Sequence, residues 1–303
     1  MATSFEEQTV TVGETHIKMF KGGSGDPLLL LHGASGNRGP LQYANALAEN
    51  YTVYLPTHPG FGDSEKPEWI HSVVDMASFY TWFQQELDLE RTRVIGFSMG
   101  GWIAAEIAAT CNHAFSKMML VDAAGIKPHT GEIADIFIIT PAQIADLMFH
   151  DPNQVPEYDQ IYKQDLTPEQ INQGERNREM AVRVCWKPYM HDPRLPHLLK
   201  RLQTPTEIVW GKQDKIVPLE CGEMYQSVIS DSHLTVIDNC GHAPQLEKPD
   251  EFDIARSPNR HIAFGAGIAA SGTGMGAHDR AEQDVEAEGP ALRKELVRKR
   301  PAL

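Results

Sequence analysis

The chain has 303 residues, which suits one large domain or one core with an inserted subdomain. Hydrophobic residues make up 41% and charged residues 22%, values that exclude wholesale disorder, a collagen-like fibre and a disulfide scaffold. The formal net charge of −14 argues against a nucleic-acid partner, because nucleic-acid binders need a basic face to neutralise phosphates.

Short apolar runs alternate with helical patterns along most of the chain. Residues 9–12 and 15–20 predict a hairpin, and helical spacing predicts helices over 73–89 and 99–109. Apolar runs predict six more strands, at 28–31, 52–55, 93–97, 117–121, 207–210 and 234–237. Strands separated by helices imply crossover connections, so the sequence predicts an α/β fold with a mostly parallel sheet flanked by helices.

The strand pattern is interrupted between residues 125 and 200. Helical patterns at 131–149, 156–163 and 168–186 replace it, and this stretch is far longer than an ordinary connection. We therefore predict a helical cap over 125–200, inserted between a first core part (1–124) and a second core part (201–256). Residues 257–303 form an atypical tail, first rich in Gly and Ala and then charged, which is expected to be flexible.

The strongest chemical motif is Gly96-Phe97-Ser98-Met99-Gly100-Gly101. It fits the pattern G-x-S-x-G, with an apolar strand before it and a small-residue helix after it, which is the context of a nucleophile elbow. Such a turn lifts the Ser98 hydroxyl clear of the sheet and places it at a helix N-terminus. Ser98 is therefore the candidate nucleophile.

A serine hydroxyl needs a base, and the base needs an orienting carboxylate. His242 follows the last predicted strand and so lies at the same sheet edge as Ser98, whereas His32 stands in an H-G step that more often shapes the backbone. Asp214 follows the strand at 207–210 and gives the chain order Ser98, Asp214, His242. Asp122, at the end of the preceding strand, is the rival acid.

The oxyanion of a tetrahedral intermediate needs N–H donors. The backbone N–H of Met99 is one candidate because it follows the nucleophile directly. The second should come from the loop after the strand at 28–31, and we expect it to be that of Ala34, between Gly33 and Gly36.

Several motifs, in order over about the first 255 residues, resemble the α/β-hydrolase superfamily, in its branch of capped serine esterases and C–C bond hydrolases. The matching pieces are His32-Gly33-Ala34, His58-Pro59-Gly60-Phe61-Gly62-Asp63-Ser64, Gly96 to Gly101, Trp210-Gly211-Lys212-Gln213-Asp214, and Gly241-His242-Ala243-Pro244 with Glu247-Lys248-Pro249. The resemblance implies the α/β-hydrolase fold with a helical cap. It also implies hydrolysis of carboxylic esters through an acyl-enzyme.

The subfamily is less sharply marked. Relatives that cleave C–C bonds of ring-fission dienoates usually carry Asn before the nucleophile and Trp after the histidine, whereas this chain has Phe97 and Ala243. A carboxylesterase acting on small to medium apolar substrates is therefore favoured. A C–C bond hydrolase, or a non-enzymatic receptor for a small ligand on the same fold, remains the alternative.

Candidate substrate contacts are Phe97 and the cap residues Phe137, Met148 and Trp186. The sequence shows no metal-ligand spacing, and the resemblance implies no cofactor. Residues 260–268 resemble the haem-binding loop of haem-thiolate monooxygenases, but Ser271 stands where the cysteine would be sought, so we expect no haem.

The four cysteines form no C-x-x-C pair, the N-terminus does not resemble a signal peptide, and no apolar run reaches the length of a membrane span. We therefore expect a cytoplasmic enzyme whose partner is a small-molecule ester substrate. The oligomeric state stays open, and a homodimer is compatible with these features.

Overall fold

The computed structural model of the protein describes residues 4–256, and its centre is an eight-stranded sheet. The strand order is β1-β2-β4-β3-β5-β6-β7-β8. β1 pairs antiparallel with β2 and β2 antiparallel with β4, and all other pairs are parallel. The strands are β1 Phe5–Val12, β2 Thr15–Gly23, β3 Asp26–Leu31, β4 Tyr51–Pro56, β5 Thr92–Phe97, β6 Phe115–Val121, β7 Thr206–Gly211 and β8 Ser232–Ile237. The predicted α/β class is thereby confirmed, and the predicted tail at 257–303 lies outside the described residues.

Helices cover both faces of this sheet. They are α1 Gln42–Ala48, α2 Val73–Glu86, α3 Met99–Thr110, α4 Pro141–Met148, α5 Tyr158–Tyr162, α6 Pro168–Cys185, α7 Leu195–Leu199, α8 Leu219–Val228, α9 Pro244–Glu247 and α10 Pro249–Arg256.

The central position of β3 explains why the sequence of this strand is an unbroken apolar run. Leu29 and Leu31 pack in the core that holds α2 and α3, whereas Leu28 and Leu30 pack in the core that holds α1. All four are fully buried, so neither face of the strand tolerates a polar residue.

The segment between β6 and β7 contains α4 to α7, so helices occupy the range expected for the cap. The prediction of one helix over 131–149 was wrong in its first ten residues. Helix α4 begins at Pro141, and Thr140 caps it by accepting a hydrogen bond from the N–H of Gln143. Proline disfavours a helical residue before it, and the N–H of Gly131 donates instead to the Glu220 carboxylate at 2.9 Å. The division into core and cap domains stays a prediction.

Within residues 4–256, every helix is too short or too polar to cross a lipid bilayer.

Candidate active site

Ser98 lies in the sharp turn between β5 and α3, with φ +52° and ψ −117°. This backbone conformation is unfavourable for a residue with a side chain and costs about 1–3 kcal/mol. Hydrogen bonds hold it in place: the Ser98 N–H donates to Val121 at 2.9 Å, and the N–H groups of Gly101 and Ala124 donate to the Ser98 carbonyl at 3.0 and 3.2 Å. The strained turn presents the hydroxyl at the carboxyl edge of the sheet.

Small residues let the strand, the turn and the helix come this close together. A Cβ on Gly100 would lie 2.1 Å from the carbonyl oxygen of Leu31, and one on Gly96 would lie 2.5 Å from the carbonyl oxygen of Gly100. Both contacts are with backbone atoms, which cannot move aside cheaply. The glycines of the G-x-S-x-G pattern are therefore required by packing.

Ser98, His242 and Asp214 form a continuous chain of hydrogen bonds. The Ser98 Oγ lies 2.9 Å from His242 Nε2, and His242 Nδ1 lies 2.7 Å from Asp214 Oδ2. The other Asp214 oxygen, Oδ1, accepts hydrogen bonds from the N–H groups of Ile216 and Val217 at 2.7 and 3.0 Å. Because a carboxylate only accepts, His242 donates from Nδ1 and leaves Nε2 free to accept the hydroxyl proton of Ser98.

Asp122 lies beside this chain of bonds. Its Oδ1 accepts a hydrogen bond from the N–H of Gly211 at 2.9 Å, and its Oδ2 receives none from the described residues. Burial, and secondly the charge of Asp214, raise the pKa of Asp122 well above its usual value. These two effects favour the protonated form of the Asp122 carboxyl group. The imidazole of His242 donates its Nδ1 hydrogen bond to Asp214, the residue that the sequence favoured.

The loop that carries His242 is fastened to the segment between β6 and β7. The His242 N–H donates to the carbonyl of Met148 at 2.7 Å. The buried carboxylate of Glu247 accepts from the N–H groups of Gly241 and Asp151, at 2.7 and 2.6 Å. These bonds fix the height of the imidazole above the sheet.

The two predicted oxyanion donors belong to two different segments of the chain near Ser98, the start of α3 and the loop after β3. Met99 is the first residue of α3, where a backbone N–H has no acceptor inside its own helix. Ala34 lies in a tight turn that the N–H of Gly36 closes by donating to the Gly33 carbonyl at 3.1 Å. Gly33 is so close to the elbow that a Cβ on it would lie 3.2 Å from the Ser98 Cβ.

Two buried histidines support that turn from below. The His58 N–H donates to His32 Nε2 at 2.9 Å, and His32 Nδ1 donates to the Gly33 carbonyl at 2.8 Å. The His58 ring lies 2.9 Å from the His32 carbonyl through Nε2 and 2.5 Å from the Tyr80 hydroxyl through Nδ1. Burial lowers the pKa of His32 to about 4, so its ring is neutral and accepts at Nε2 as this pattern requires. His32 therefore shapes the backbone, as its H-G step indicated.

A cavity of about 110 Å³ opens above Ser98. One water molecule needs roughly 15 Å³ by the same measure, so the cavity has room for a small organic group. Of the four predicted substrate contacts, Phe97 and Met148 line it, whereas Phe137 and Trp186 do not. Phe137 and Trp186 pack with Tyr189 instead, and Trp186 is half exposed.

Several lining residues escaped the sequence analysis. Tyr43 is one of them: it stands on α1, a helix that was not predicted, and its ring packs edge-on against Phe97 at 5.3 Å. Arg38 and Tyr162 come together only in the folded chain, with the guanidinium 4.8 Å from the Tyr162 ring centre. No local pattern signals such contacts, because the residues stand far apart in the sequence.

The described fold agrees with comparisons to known proteins. A family model described as the alpha/beta hydrolase family matches residues 28–253. This chain belongs to the alpha/beta hydrolase family. The match spans all the residues of the candidate site, from the Ala34 turn to His242, so the site lies wholly within the part of this hydrolase that the family model describes.

Relatives of this hydrolase include proteins named for two reactions. It is 25% identical to Lipase 3 of Moraxella sp., over 81% of this chain and 79% of the lipase. It is 28% identical to the 2-hydroxy-6-oxo-6-phenylhexa-2,4-dienoate hydrolase of Comamonas testosteroni, over 76% of this chain and 86% of that enzyme. The crystal structure of a putative lipase from Acinetobacter baumannii superposes with a TM-score of 0.63 at 25% identity, over 82% of this chain and 88% of the lipase.

Proposed function

We propose that this protein is a serine hydrolase that cleaves carboxylic esters of small to medium apolar substrates through an acyl-enzyme. The observation that carries the proposal is the pair of hydrogen bonds from Ser98 to His242 (2.9 Å) and from His242 to Asp214 (2.7 Å), in a chain whose Ser98 backbone is held in a strained turn. A nucleophile, a base and an orienting carboxylate in that geometry suit acyl transfer.

In the first half of the proposed reaction, Ser98 Oγ attacks the ester carbonyl carbon and His242 Nε2 takes the hydroxyl proton. Asp214 stabilises the resulting imidazolium through its bond to Nδ1. The tetrahedral intermediate collapses when the C–O bond to the alcohol breaks, and His242 returns the proton to the leaving alcohol. Water then attacks the acyl-enzyme, with His242 again as the base.

The backbone N–H groups of Ala34 and Met99 are proposed to hold the oxyanion. Loss of one such donor typically costs about 10²–10³ in kcat, so their placement matters as much as that of the base. The start of α3 adds the positive end of a helix dipole beside the developing charge.

The cavity wall supports the proposed substrate class. Apolar side chains of Phe97, Ile136, Ile144, Met148 and Leu246 line much of it. They suit a short to medium acyl or alcohol chain, because packing such a chain against them removes apolar surface from water. The proposed substrate is therefore an ester with apolar arms.

A C–C bond hydrolase is the second candidate, favoured by the 28% identity to the dienoate hydrolase of Comamonas testosteroni. Against it stand Phe97 and Ala243, where enzymes of that type usually carry Asn and Trp. A dienoate carries a carboxylate and conjugated oxygens, which need polar partners that these two side chains do not offer.

The test is hydrolysis of p-nitrophenyl esters, from acetate to decanoate, by wild type and by the Ser98→Ala variant. We expect turnover that is highest for a short or medium chain, and loss of turnover in the variant. A fluorophosphonate probe should label Ser98 in the wild type only. Equal rates in both proteins would refute the nucleophile assignment. Rapid bleaching of a coloured dienoate with little ester hydrolysis would favour the second candidate, and binding without repeated turnover would indicate a receptor.

We further propose a cytoplasmic location. The four cysteines are free thiols, of which Cys185, Cys221 and Cys240 are buried. Unpaired cysteines are typical of a reducing compartment. The proposed reaction uses only side chains, backbone N–H groups and water, so it calls for no cofactor.

A further inference from the structure

Helix α6 is fastened along one side to the loop that follows β4. Gln173 Nε2 and Arg176 Nη2 donate to the two oxygens of the Asp63 carboxylate, at 2.7 and 2.8 Å. Two turns further along the helix, Arg183 Nε donates to the carbonyl of Ile70 at 2.7 Å. α6 is therefore held in a fixed position relative to that loop.

Asn177 stands in the same row and reaches a second loop. Its Nδ2 donates to the carbonyl of Ser35 at 3.1 Å, and its Oδ1 accepts from the N–H of Gly62 at 2.7 Å. The amide is thus used at both ends, once as donor and once as acceptor. A side chain with two acceptors or two donors cannot make both bonds.

The Ser35 carbonyl belongs to the peptide group that closes the Ala34 turn. The N–H of the same peptide, on Gly36, donates to the Gly33 carbonyl at 3.1 Å. Gly36 has φ +91°, and a Cβ there would lie 2.2 Å from Asn177 Nδ2. A glycine at this position therefore gives the turn its left-handed residue and leaves room for the Asn177 amide.

We propose that Asn177 is a positioning residue for the oxyanion hole: by bonding Ser35, it fixes the orientation of the turn that carries the Ala34 N–H. The proposal rests on the serine hydrolase activity proposed above and adds a residue that never touches the substrate. Because the oxyanion forms only as the reaction proceeds, a loosened turn weakens binding of the transition state more than binding of the ester.

The test compares Asn177→Ala and Asn177→Asp with the control Gln173→Ala. Asn177 and Gln173 both bond the loop after β4, at Gly62 and Asp63 respectively, but only Asn177 also bonds the Ala34 turn. With a p-nitrophenyl ester, we expect Asn177→Ala to lower kcat about tenfold with KM within about twofold of wild type. Asn177→Asp should lose at least as much, because a carboxylate oxygen would face the Ser35 carbonyl. The control should keep both constants within about twofold.

Amide hydrogen exchange of Gly36 gives a readout that is independent of turnover. It should speed up in Asn177→Ala and stay unchanged in Gln173→Ala. An equal loss of kcat in Asn177→Ala and Gln173→Ala, a change confined to KM, or unchanged Gly36 exchange would overturn the positioning role. If the wild type hydrolyses no ester and takes no fluorophosphonate label, the proposed function fails, and Gly36 exchange alone then decides whether Asn177 holds the turn.

Discussion

The pair of carboxyl groups behind His242 yields a sharp prediction. Asp214 and Asp122 lie side by side, and each stands at the end of a strand, so either is a plausible partner for the base by position alone. We expect Asp214→Asn to lower kcat by about 10⁴, or about 5.4 kcal/mol of transition-state stabilisation, because it imposes the wrong tautomer on His242. We expect Asp122→Asn to change kcat by no more than about threefold, because the amide resembles a neutral carboxylic acid.

The size of the first effect follows from the hydrogen bonds of Asp214. The N–H groups of Ile216 and Val217 point at Oδ1, at 2.7 and 3.0 Å, so the carbonyl of an asparagine must occupy that site. Its NH₂ group then faces His242 Nδ1 and donates to it. The imidazole is left with its proton on Nε2, where it points at Ser98 and cannot take a proton.

The small effect expected for Asp122→Asn follows from the surroundings of Asp122. Burial, and secondly the neighbouring Asp214 charge, raise the pKa of Asp122 well above its usual value, so they favour the uncharged form, which an asparagine resembles. An asparagine at 122 still accepts the hydrogen bond from the N–H of Gly211 through its carbonyl oxygen.

The assay is steady-state hydrolysis of a p-nitrophenyl ester by the two variants and wild type, with circular dichroism spectra to show that all three are folded. A loss of similar size in both variants, or a larger loss in Asp122→Asn, would refute the assignment of Asp214 as the orienting acid and of Asp122 as a neutral group.

Three further predictions concern stability and specificity. Gly100→Ala should lower the free energy of unfolding, measured by urea denaturation, by about 3 kcal/mol, because the added Cβ would lie 2.1 Å from a backbone oxygen. Gly174→Ala should raise the free energy of unfolding by about 0.5–1 kcal/mol, because Gly174 lies inside α6 with open space around it. Met148→Ala should shift the preferred ester towards longer acyl or alcohol chains by enlarging the cavity, and Trp186→Ala should leave the chain-length profile unchanged; equal shifts would contradict the cavity assignment. Burial raises the pKa of Glu106 from 4.5 to about 7. Because the unfolded chain ionises this group at a lower pH than the folded protein does, its contribution to the free energy of unfolding falls as the pH rises from 4.5 to about 7. In urea titrations, the stability of Glu106→Gln relative to wild type should therefore increase as the pH rises between these values. A difference in free energy of unfolding that stays constant with pH would contradict this.

Local patterns predicted much of the fold and of the candidate site because those features are encoded locally. The G-x-S-x-G turn needs glycines at fixed offsets, and the β3 run is apolar because both of its faces are buried. Helix α1 was missed because it is short and its N-cap residue, Leu41, makes no side-chain capping bond, so the usual start signal is absent.

The remaining errors concern contacts between distant parts of the chain. Trp186 is aromatic and stands in the right segment, but its ring packs against Phe137, about fifty residues earlier in the sequence, instead of lining the cavity. Asn177 likewise gives no sequence signal, since an asparagine on a polar helix normally faces water. Its role becomes visible only when the loops at Ser35 and Gly62 are seen on either side of it.

The two histidines under the Ala34 turn carry a consequence for how this protein can evolve. Each satisfies a backbone group of the other: His32 accepts the proton of the His58 amide, and the His58 ring donates to the His32 carbonyl. Replacing one leaves the other with a buried polar group that lacks a partner, a cost of about 1–3 kcal/mol. Because both partners are backbone groups, which persist after any substitution, replacing both histidines would leave two buried groups unpaired. Descendants of this chain should therefore keep a side-chain acceptor at position 32 and a side-chain donor at position 58.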